Sequence, residues 1–533
     1  MVNLDNSGTS PNHITWTKSA RMWHSMDDSS VAATTKLSFM DTLPEILFSQ
    51  GTDQAQSKRV RRLAADGHLR KLHAGIYTSN LDAPAESVVL RHWRAIAGHL
   101  LPGGVISHRS AFDGRPQAGK LLVTRGRTRR TLELPGLTVE VLPGPSAVTD
   151  GAARDVPYGS LFLASEPRRF LENLGRGRGW SERVLPQQEI EMQLDRMLAL
   201  RGEHRLNDLR DACRTLAGSL DMTTEFARLD GIVGALLGTH AARNLSAHQS
   251  VARAAGRPYD PSRLELFDTL FSALNREVFA TIADPAPAGL ARENFAFFES
   301  YFSNYIEGTT FTVAEAESIV FDGRIIENRS ADSHDILGTF AAATRSPWRD
   351  RPAQDADEFL AWLKSVNAQV MQQRPDKRPG ERKAQINQAG STVFVLPELV
   401  PGTLREAFER ILALVDPVAR ALMTMFVVSE VHPFIDGNGR TARLAMNCVL
   451  SAAGLSRIIV PTVYREDYLL PLKALSNNAD ARPYVAAMTR VQSWSAAFDY
   501  GVPRDQLRAR LAACHAFEED LKSYRLVFPE RPG

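Results

Sequence analysis

Residues 431–447 read VHPFIDGNGRTARLAMN, and the way this stretch is flanked decides the fold of the second half of the chain. Upstream, Asp416 is placed to cap a helix and Pro417 to open it, because Pro lacks an N–H that the first helical turn leaves unused anyway. The run Val418, Leu422, Met425, Phe426, Val427, Val428 is apolar on every face, which predicts a helix buried all round. Pro433 ends it, so His432 is expected at the end of a core helix with its backbone held. Downstream, Asp436-Gly437-Asn438-Gly439 predicts a tight loop. A second helix follows from about Arg440, with Leu444, Ala445, Val449 and Leu450 facing inward and Gly454 as its stop. Glycines on both sides of an asparagine at a helix N-terminus let backbone N–H groups converge on one point, a nest for an anion such as a polyphosphate. Arg440 and Arg443 share a helix face beside it, two planar forks suited to phosphate oxygens. Asp436 adds a hard oxygen ligand for Mg²⁺, which keeps most of its waters and bridges phosphates. Taken singly, a histidine is usually a satisfied side chain and DGNG a turn. A base, a metal ligand, an anion nest and two arginines between 432 and 443 are hard to explain by structure alone.

HPFIDGNGRTAR at 432–443 matches in full the signature H-x-F-x-[DE]-G-N-G-R-x-x-R, and on it the chain resembles the Fic family. That family consists of mostly helical nucleotidyltransferases that move AMP from ATP onto a hydroxyl side chain of a target protein. The similarity runs from roughly 260 to 495. The resemblance implies His432 as the general base for a target Ser, Thr or Tyr, a task that a neutral imidazole suits. It implies Phe434 as the loop's anchor in the core, Asp436 as the Mg²⁺ ligand, Gly437, Asn438 and Gly439 as binders of the α- and β-phosphates, and Arg440 as the residue that steadies the leaving pyrophosphate. TVFVLPELVPG at 392–402 has the β-branched and aromatic content of a short hairpin. There Thr392, Val393, Phe394, Val395, Leu396 and Pro397 resemble the family's flap, which registers the target as an added strand. ALSNNADARPYV at 474–485 resembles a segment near the adenine, with Asn477 at its usual asparagine.

ENFAFFESYFSNYIEGTT at 293–310 places Phe295, Phe298, Phe302 and Tyr305 on one helical stripe, which means core packing. Ser303 and Glu307 lie on another face. SNYIEG at 303–308 also matches the family's inhibitory motif [ST]-x-x-x-E-[GN]. The resemblance therefore implies a brake, in which Glu307 pairs with Arg443 and fills the space that the ATP γ-phosphate needs. The expected function is an autoinhibited protein adenylyltransferase using ATP and Mg²⁺. The alternatives are a DNA-binding regulator or antitoxin-like protein with the Fic part as nucleotide sensor, removal of AMP, or transfer of another nucleotide.

The first third reads differently. A short helix is expected around Leu43, Ile46 and Leu47. A basic helix follows in SKRVRRLAADGHLRKLHAGIYTSN at 57–80, with Val60, Leu63 and Ala64 on its apolar face, and then a compact hairpin. That is the order of a winged helix-turn-helix. Residues 51–144 carry 15 Lys/Arg against 7 Asp/Glu, whereas the whole chain nets only +2, so a surplus sits where DNA would be touched. The charge alone is equally consistent with a solvated helix face. Gly67, Leu69, Leu72, Gly75 and Tyr77 resemble the N-terminal winged helix of AbiEi-type antitoxins. Residues 121–144 alternate about Pro135-Gly136 and predict strands joined by a turn, with Arg125, Arg127, Arg129 and Arg130 in reach of phosphate. SLFLASEPRRFLENL at 160–174 resembles the strand and helix that close the second part of that family's fold, and GRGRGW at 175–180 reads as a linker or exposed loop.

The 533 residues, 44% hydrophobic and 23% charged, exclude a disordered or fibrous protein and leave room for several cores. Lys+Arg of 63 against Asp+Glu of 61 gives no global case for nucleic-acid or membrane binding. Three scattered cysteines, Cys213, Cys448 and Cys514, form neither a disulfide framework nor a metal site. With no signal-like segment and no long apolar run, a cytoplasmic location is expected. Met22, Met26 and Met40 leave the start site open. The expected fold class is multidomain α+β: a tail at 1–40, a winged helix at 41–110, a small α/β region at 111–190, a helical connector at 191–260, a mainly α Fic fold with a β-hairpin flap at 261–500 and its inhibitory helix near 292–308, and a closing helix or tail at 501–533. The expected partners are a target protein with a hydroxyl side chain, DNA through 51–144, and a second copy in a homodimer.

Overall fold

The computed structural model describes residues 43–49, 54–176, 182–390, 392–520 and 522–530. The expected tail at 1–40 and most of the 175–180 loop lie outside them. The chain divides into two compact units, Met1–Glu172 and Asn173–Gly533.

The first unit begins with β1 (Ile46–Phe48), α1 (Gln54–Ala65), β2 (Arg70–His73) and β3 (Ile76–Thr78). The helix expected around 43–47 is a correction: Ile46, Leu47 and Phe48 pair antiparallel with Thr78, Tyr77 and Ile76, so β1 flanks β3 in a sheet of order β1-β3-β2. Branched and aromatic side chains suit that pleated, half-buried surface better than a short helix. α1 buries Val60, while Lys58, Arg59, Arg61 and Arg62 stay exposed. After α2 (Ala85–Arg91) and α3 (Trp93–Leu100) come β4 (Val105–Ile106), α4 (His108–Asp113), β5 (Lys120–Thr124), β6 (Arg130–Leu134), β7 (Leu137–Leu142), β8 (Val156–Tyr158), β9 (Leu161–Leu163) and α5 (Glu166–Glu172). The turn expected at Pro135-Gly136 joins β6 to β7, with Leu134 opposite Leu137. The six strands run β6-β7-β5-β4-β9-β8, so the expected divide at 110 falls inside one sheet. Arg168 is fully buried, paired with Asp155 at 2.7 Å and Glu172 at 2.8 Å, which ties α5 to the preceding loop.

The second unit is helical: α6 (Gln187–Leu220), α7 (Thr223–Leu236), α8 (His248–Ala254), α9 (Pro261–Leu274), α10 (Gly289–Ile306), α11 (Val313–Phe321), α12 (Ser330–Thr344) and α13 (Ala356–Val370). A two-stranded piece, β10 (Gln388–Ala389) with β11 (Thr392–Val393), precedes α14 (Val400–Ala413), α15 (Pro417–Val431), α16 (Asn438–Ala452), α17 (Arg465–Asn478), α18 (Arg482–Ser495) and α19 (Arg504–Ala513). As expected, Asp416 caps α15 by accepting from the Val418 and Ala419 N–H groups, with Pro417 at the first helical position. Twelve of its fifteen residues are buried, which makes α15 the axis of the core. Phe267, Phe295, Phe298, Phe302, Phe426, Tyr484 and Trp494 pack into that core.

Two boundaries are corrected. The hairpin expected at 392–402 is shifted toward the N-terminus: Ala389 pairs with Thr392 and Gln388 with Val393, and beyond Leu396 the chain turns through Pro397–Leu399 into α14. Pro397 and Pro401 have no N–H to give a strand ladder and are tolerated in the first turn of a helix. The second helix begins at Asn438 rather than Arg440, because Gly437 at φ 74 already occupies the cap position. Val449 is only partly buried.

Candidate active site

The end of α15 fixes the first chemical group. His432 is the C-cap, at φ 52 and ψ 62, so the chain reverses there and delivers the imidazole to the mouth of the loop. Its Nδ1 is 3.1 Å from the Ser429 carbonyl. A carbonyl only accepts, so the neutral ring carries its proton on Nδ1 and keeps the Nε2 lone pair free. Phe394 lies flat on the ring, with centroids 3.8 Å apart and planes 5° from parallel. Burial pushes the imidazole down to about 4; the Ser429 carbonyl works the other way, and the Lys383 charge reinforces the fall. The ring is therefore neutral at pH 7.

The loop from 433 to 437 is held by amides. Asn438 Oδ1 accepts from the Phe434 N–H at 2.9 Å, and its Nδ2 donates to the Phe434 carbonyl at 2.9 Å. Asn387 donates to that carbonyl at 3.0 Å, and Asn367 donates to the Asp436 carbonyl at 3.0 Å. Phe434 itself is buried, as expected of an anchor. The side chain of Asn438 is thus a staple, and only its backbone N–H is available to an anion. A Cβ at Gly437 would come within 2.8 Å of Met371 Sδ, and one at Gly439 would overlap Glu307 Oε1. Both glycines are required by close approach, one to the core and one to a carboxylate.

Arg440 and Arg443 are both buried but differ in what they hold. Arg440 Nη1 is 2.7 Å from Asp335 and donates to Asn304 Oδ1 at 3.2 Å. Arg443 donates to the Ser303 hydroxyl at 3.0 Å, to the Ser303 carbonyl at 2.9 Å and to Glu307 Oε1 at 2.6 Å. Glu307 follows α10 as its C-cap, so the helix end aims the carboxylate over the first turn of α16. Burial works to raise the Glu307 carboxyl, but the Arg443 charge and hydrogen bond outweigh it and hold the carboxyl below its ordinary value. An ionised carboxylate over a helix N-terminus occupies the position that an anionic ligand would take.

Asp436 is 42% exposed at the loop, its Oδ1 accepting from the Gly437 N–H at 2.6 Å. Among the described residues no group of three His, Cys, Asp or Glu is placed to hold a metal ion. One exposed carboxylate beside an anion nest fits a Mg²⁺ bound chiefly by phosphate and water, and not a cation caged by protein. Asn477 is exposed on α17, and among the described residues no hydrogen bond joins it to the loop. Asn304, Asp335, Asn367, Lys383 and Asn387 were not found from the sequence. Their partners are mostly backbone groups or residues remote in the chain, and the only local trace is the i, i+4 spacing of Lys383 and Asn387, whose side chains meet at 2.6 Å.

Residues 358–450 match the model of the Fic/DOC family. A protein adenylyltransferase Fic from Drosophila erecta is 32% identical over 238 residues, covering 42% of this chain and 45% of the relative. The protein adenylyltransferase fic-1 of Caenorhabditis elegans is 26% identical over 249 residues, covering 43% of this chain and 49% of the relative. The chain spans a little under half the length of these curated relatives. Among solved structures, a Fic domain containing signaling protein from Bacteroides thetaiotaomicron aligns with a TM-score of 0.34 at 20% identity, over 45% of this chain and 98% of that one. No helix among the described residues is long and apolar enough to cross a membrane.

Proposed function

With the Fic/DOC match as premise, we propose that the chain is a protein adenylyltransferase whose own helix α10 holds it inactive. The observation that carries the reading is the Glu307 carboxylate, bonded to Arg443 and lying over Gly439 at the start of α16. In the active state Glu307 withdraws, and the backbone N–H groups of 437–439 with Arg443 receive the phosphates of ATP. A target Ser, Thr or Tyr oxygen attacks the α-phosphorus as its proton passes to His432 Nε2. The bond to the β-phosphate oxygen breaks and pyrophosphate leaves. Asp436 would hold Mg²⁺, which would supply charge neutralisation at the phosphates. Arg440, fixed by Asp335 and Asn304, faces the leaving side. Phe394 covers the histidine until the flap takes up a target strand.

Breaking a pair in which Arg443 is buried and the Glu307 side chain is 30% exposed costs about 2 kcal/mol, roughly thirtyfold in population, enough to favour the off state. The Glu307→Gly protein should therefore transfer label from ATP carrying it on the α-phosphate, onto itself and onto substrates, well above wild type. Label on the γ-phosphate should not be transferred. Transfer of γ-label would mean a kinase, and no transfer of either would remove the reading.

A nucleic-acid-binding role for the first unit is favoured by one observation, the exposed row Lys58, Arg59, Arg61 and Arg62 on α1, which leads into the β1-β3-β2 sheet in the manner of a winged helix. Duplex binding that weakens steeply with salt, and that survives His432→Ala, tests it; binding indifferent to salt contradicts it.

A further inference from the structure

The two strands of the flap are anchored unequally. The β10 side is tied to the loop after His432: the Lys383 N–H donates to the Pro433 carbonyl at 2.9 Å, and Asn387, just before β10, donates from its amide to the Phe434 carbonyl at 3.0 Å. β11 has β10 on one side and no strand on the other among the described residues. The Phe394 N–H donates to the Asn387 carbonyl, so by the alternation of an antiparallel pair the N–H and C=O of Val393 point to the open edge. An added strand would pair there.

One side chain reaches that edge. Arg263, in the first turn of α9, donates from Nη2 to the Val393 carbonyl and from Nη1 to Glu430. Among the described residues no other side chain bonds the β11 backbone. Asp260 caps α9 by accepting from the Ser262 and Arg263 N–H groups, and its own N–H donates to Thr403 Oγ1 at 2.9 Å. The turn that carries Arg263 is thus fixed to α14, the helix into which the flap runs. Glu430 lies two residues before His432, with its side chain only 4% exposed. Its second oxygen accepts from the Ser476 hydroxyl on α17 at 2.6 Å. A guanidinium paired with so buried a carboxylate cannot turn to solvent without leaving a charge unpaired, so Arg263 is held in place. The end of α15 therefore carries the base and, through Glu430 and Arg263, also holds the strand whose next residue, Phe394, lies on that base.

We infer that Arg263 and Glu430 are positioning residues for the transfer: they hold the open edge of β11 at a fixed offset from His432 and so set which hydroxyl of an added strand meets Nε2. A slip of one residue in that pairing turns the acceptor side chain to the opposite face, so the edge must be held as firmly as the base. The inference rests on the transferase reading and adds to it two residues outside the 432–443 motif. Among the described residues neither bonds Glu307, Arg443 or the loop at 436–439, so nucleotide binding does not depend on them.

The test uses Arg263→Met/Glu430→Leu, which removes the pair without leaving a buried charge and lets Ser476 keep its bond to the Leu472 carbonyl at 3.0 Å. Amide exchange on the full chain, with Glu307 in place and no nucleotide, should be roughly tenfold faster over 388–396 and unchanged over α15. In the Glu307→Gly background, self-transfer from ATP labelled on the α-phosphate should fall about tenfold at saturating ATP, with KM for ATP within about twofold of its parent. Unchanged exchange over 388–396, or faster exchange there with undiminished transfer, would overturn the inference. So would a KM for ATP that rises with the loss of turnover, or exchange that quickens across α15 as well, since either marks general damage. A Glu307→Gly parent that transfers nothing would remove the transferase reading itself, and the exchange measurement, which needs no transfer, tells that failure from this one.

Discussion

His432 serves as a base only while its ring is neutral, and its neighbours decide that. The Phe394 ring shuts water from one face of the imidazole, and burial is the leading reason the group is pushed down to about 4. Phe394→Ala should rehydrate the ring and move its titration up toward the ordinary 6.5. Following the imidazole resonances with pH checks this, and a midpoint still near 4 would mean that the stack is not the cause. Gly439 separates two roles of the α16 N-terminus. Gly439→Ala should expel Glu307 and yet fail to activate, because the added methyl fills the anion position too; nucleotide transfer rising to the level of Glu307→Gly would contradict that. His432, Gly437, Gly439, Arg443 and Glu307 were legible because their order along the chain is the chemistry itself. Asn438 was legible as a site residue but not as a staple, since nothing in DGNG says that its amide turns back on Phe434. Asp335 could not be read, because its partners Arg440 and Arg374 lie far along the chain and meet it only in the fold.

At the scale of elements, α16 is joined to α10 and its C-cap by Arg440 on Asn304, by Arg443 on Ser303 and Glu307, and by Asn447 on Glu299. Asn447 on α16 donates to Glu299 Oε1 at 2.8 Å. Burial raises the Glu299 carboxyl from 4.5 to about 7, although Arg457 and Asn447 pull it down. A carboxyl raised in the folded state stabilises it fully below its unfolded value, and that contribution is lost as pH rises through about 7. Wild-type unfolding midpoints should therefore fall between about pH 4.5 and 7 and level off above that, and Glu299→Gln should flatten the fall. An unchanged slope in the variant would place the titrating group elsewhere. α15 and α16 could be read end to end, because capping residues and an unbroken apolar run agree. β1 and the flap could not be placed, because strands of two or three residues take their register from partners that the local pattern does not name.

For the whole molecule, the division at 172 leaves every residue of the proposed catalytic site in the second unit. A protein of residues 173–533 carrying Glu307→Gly should then keep its transfer activity, whereas salt-sensitive duplex binding should go with the first unit. Loss of transfer in a fragment that still melts cooperatively would show that the first unit contributes to catalysis. The expected boundary at 110 failed because β4 is only two residues long, too short for alternation to reveal that it joins β5 and β9 in one sheet.

The central claim is that a glutamate seated at the N-terminus of α16 keeps a working nucleotide cradle and base from acting. Intact mass measurement after incubation with ATP and Mg²⁺ tests it, on wild type, Glu307→Gly and Glu307→Gly/His432→Ala. One or more AMP additions on Glu307→Gly, with little on the wild type and none on the double variant, is the expected result. An unmodified Glu307→Gly protein, or a double variant modified as fully as the single one, would contradict it.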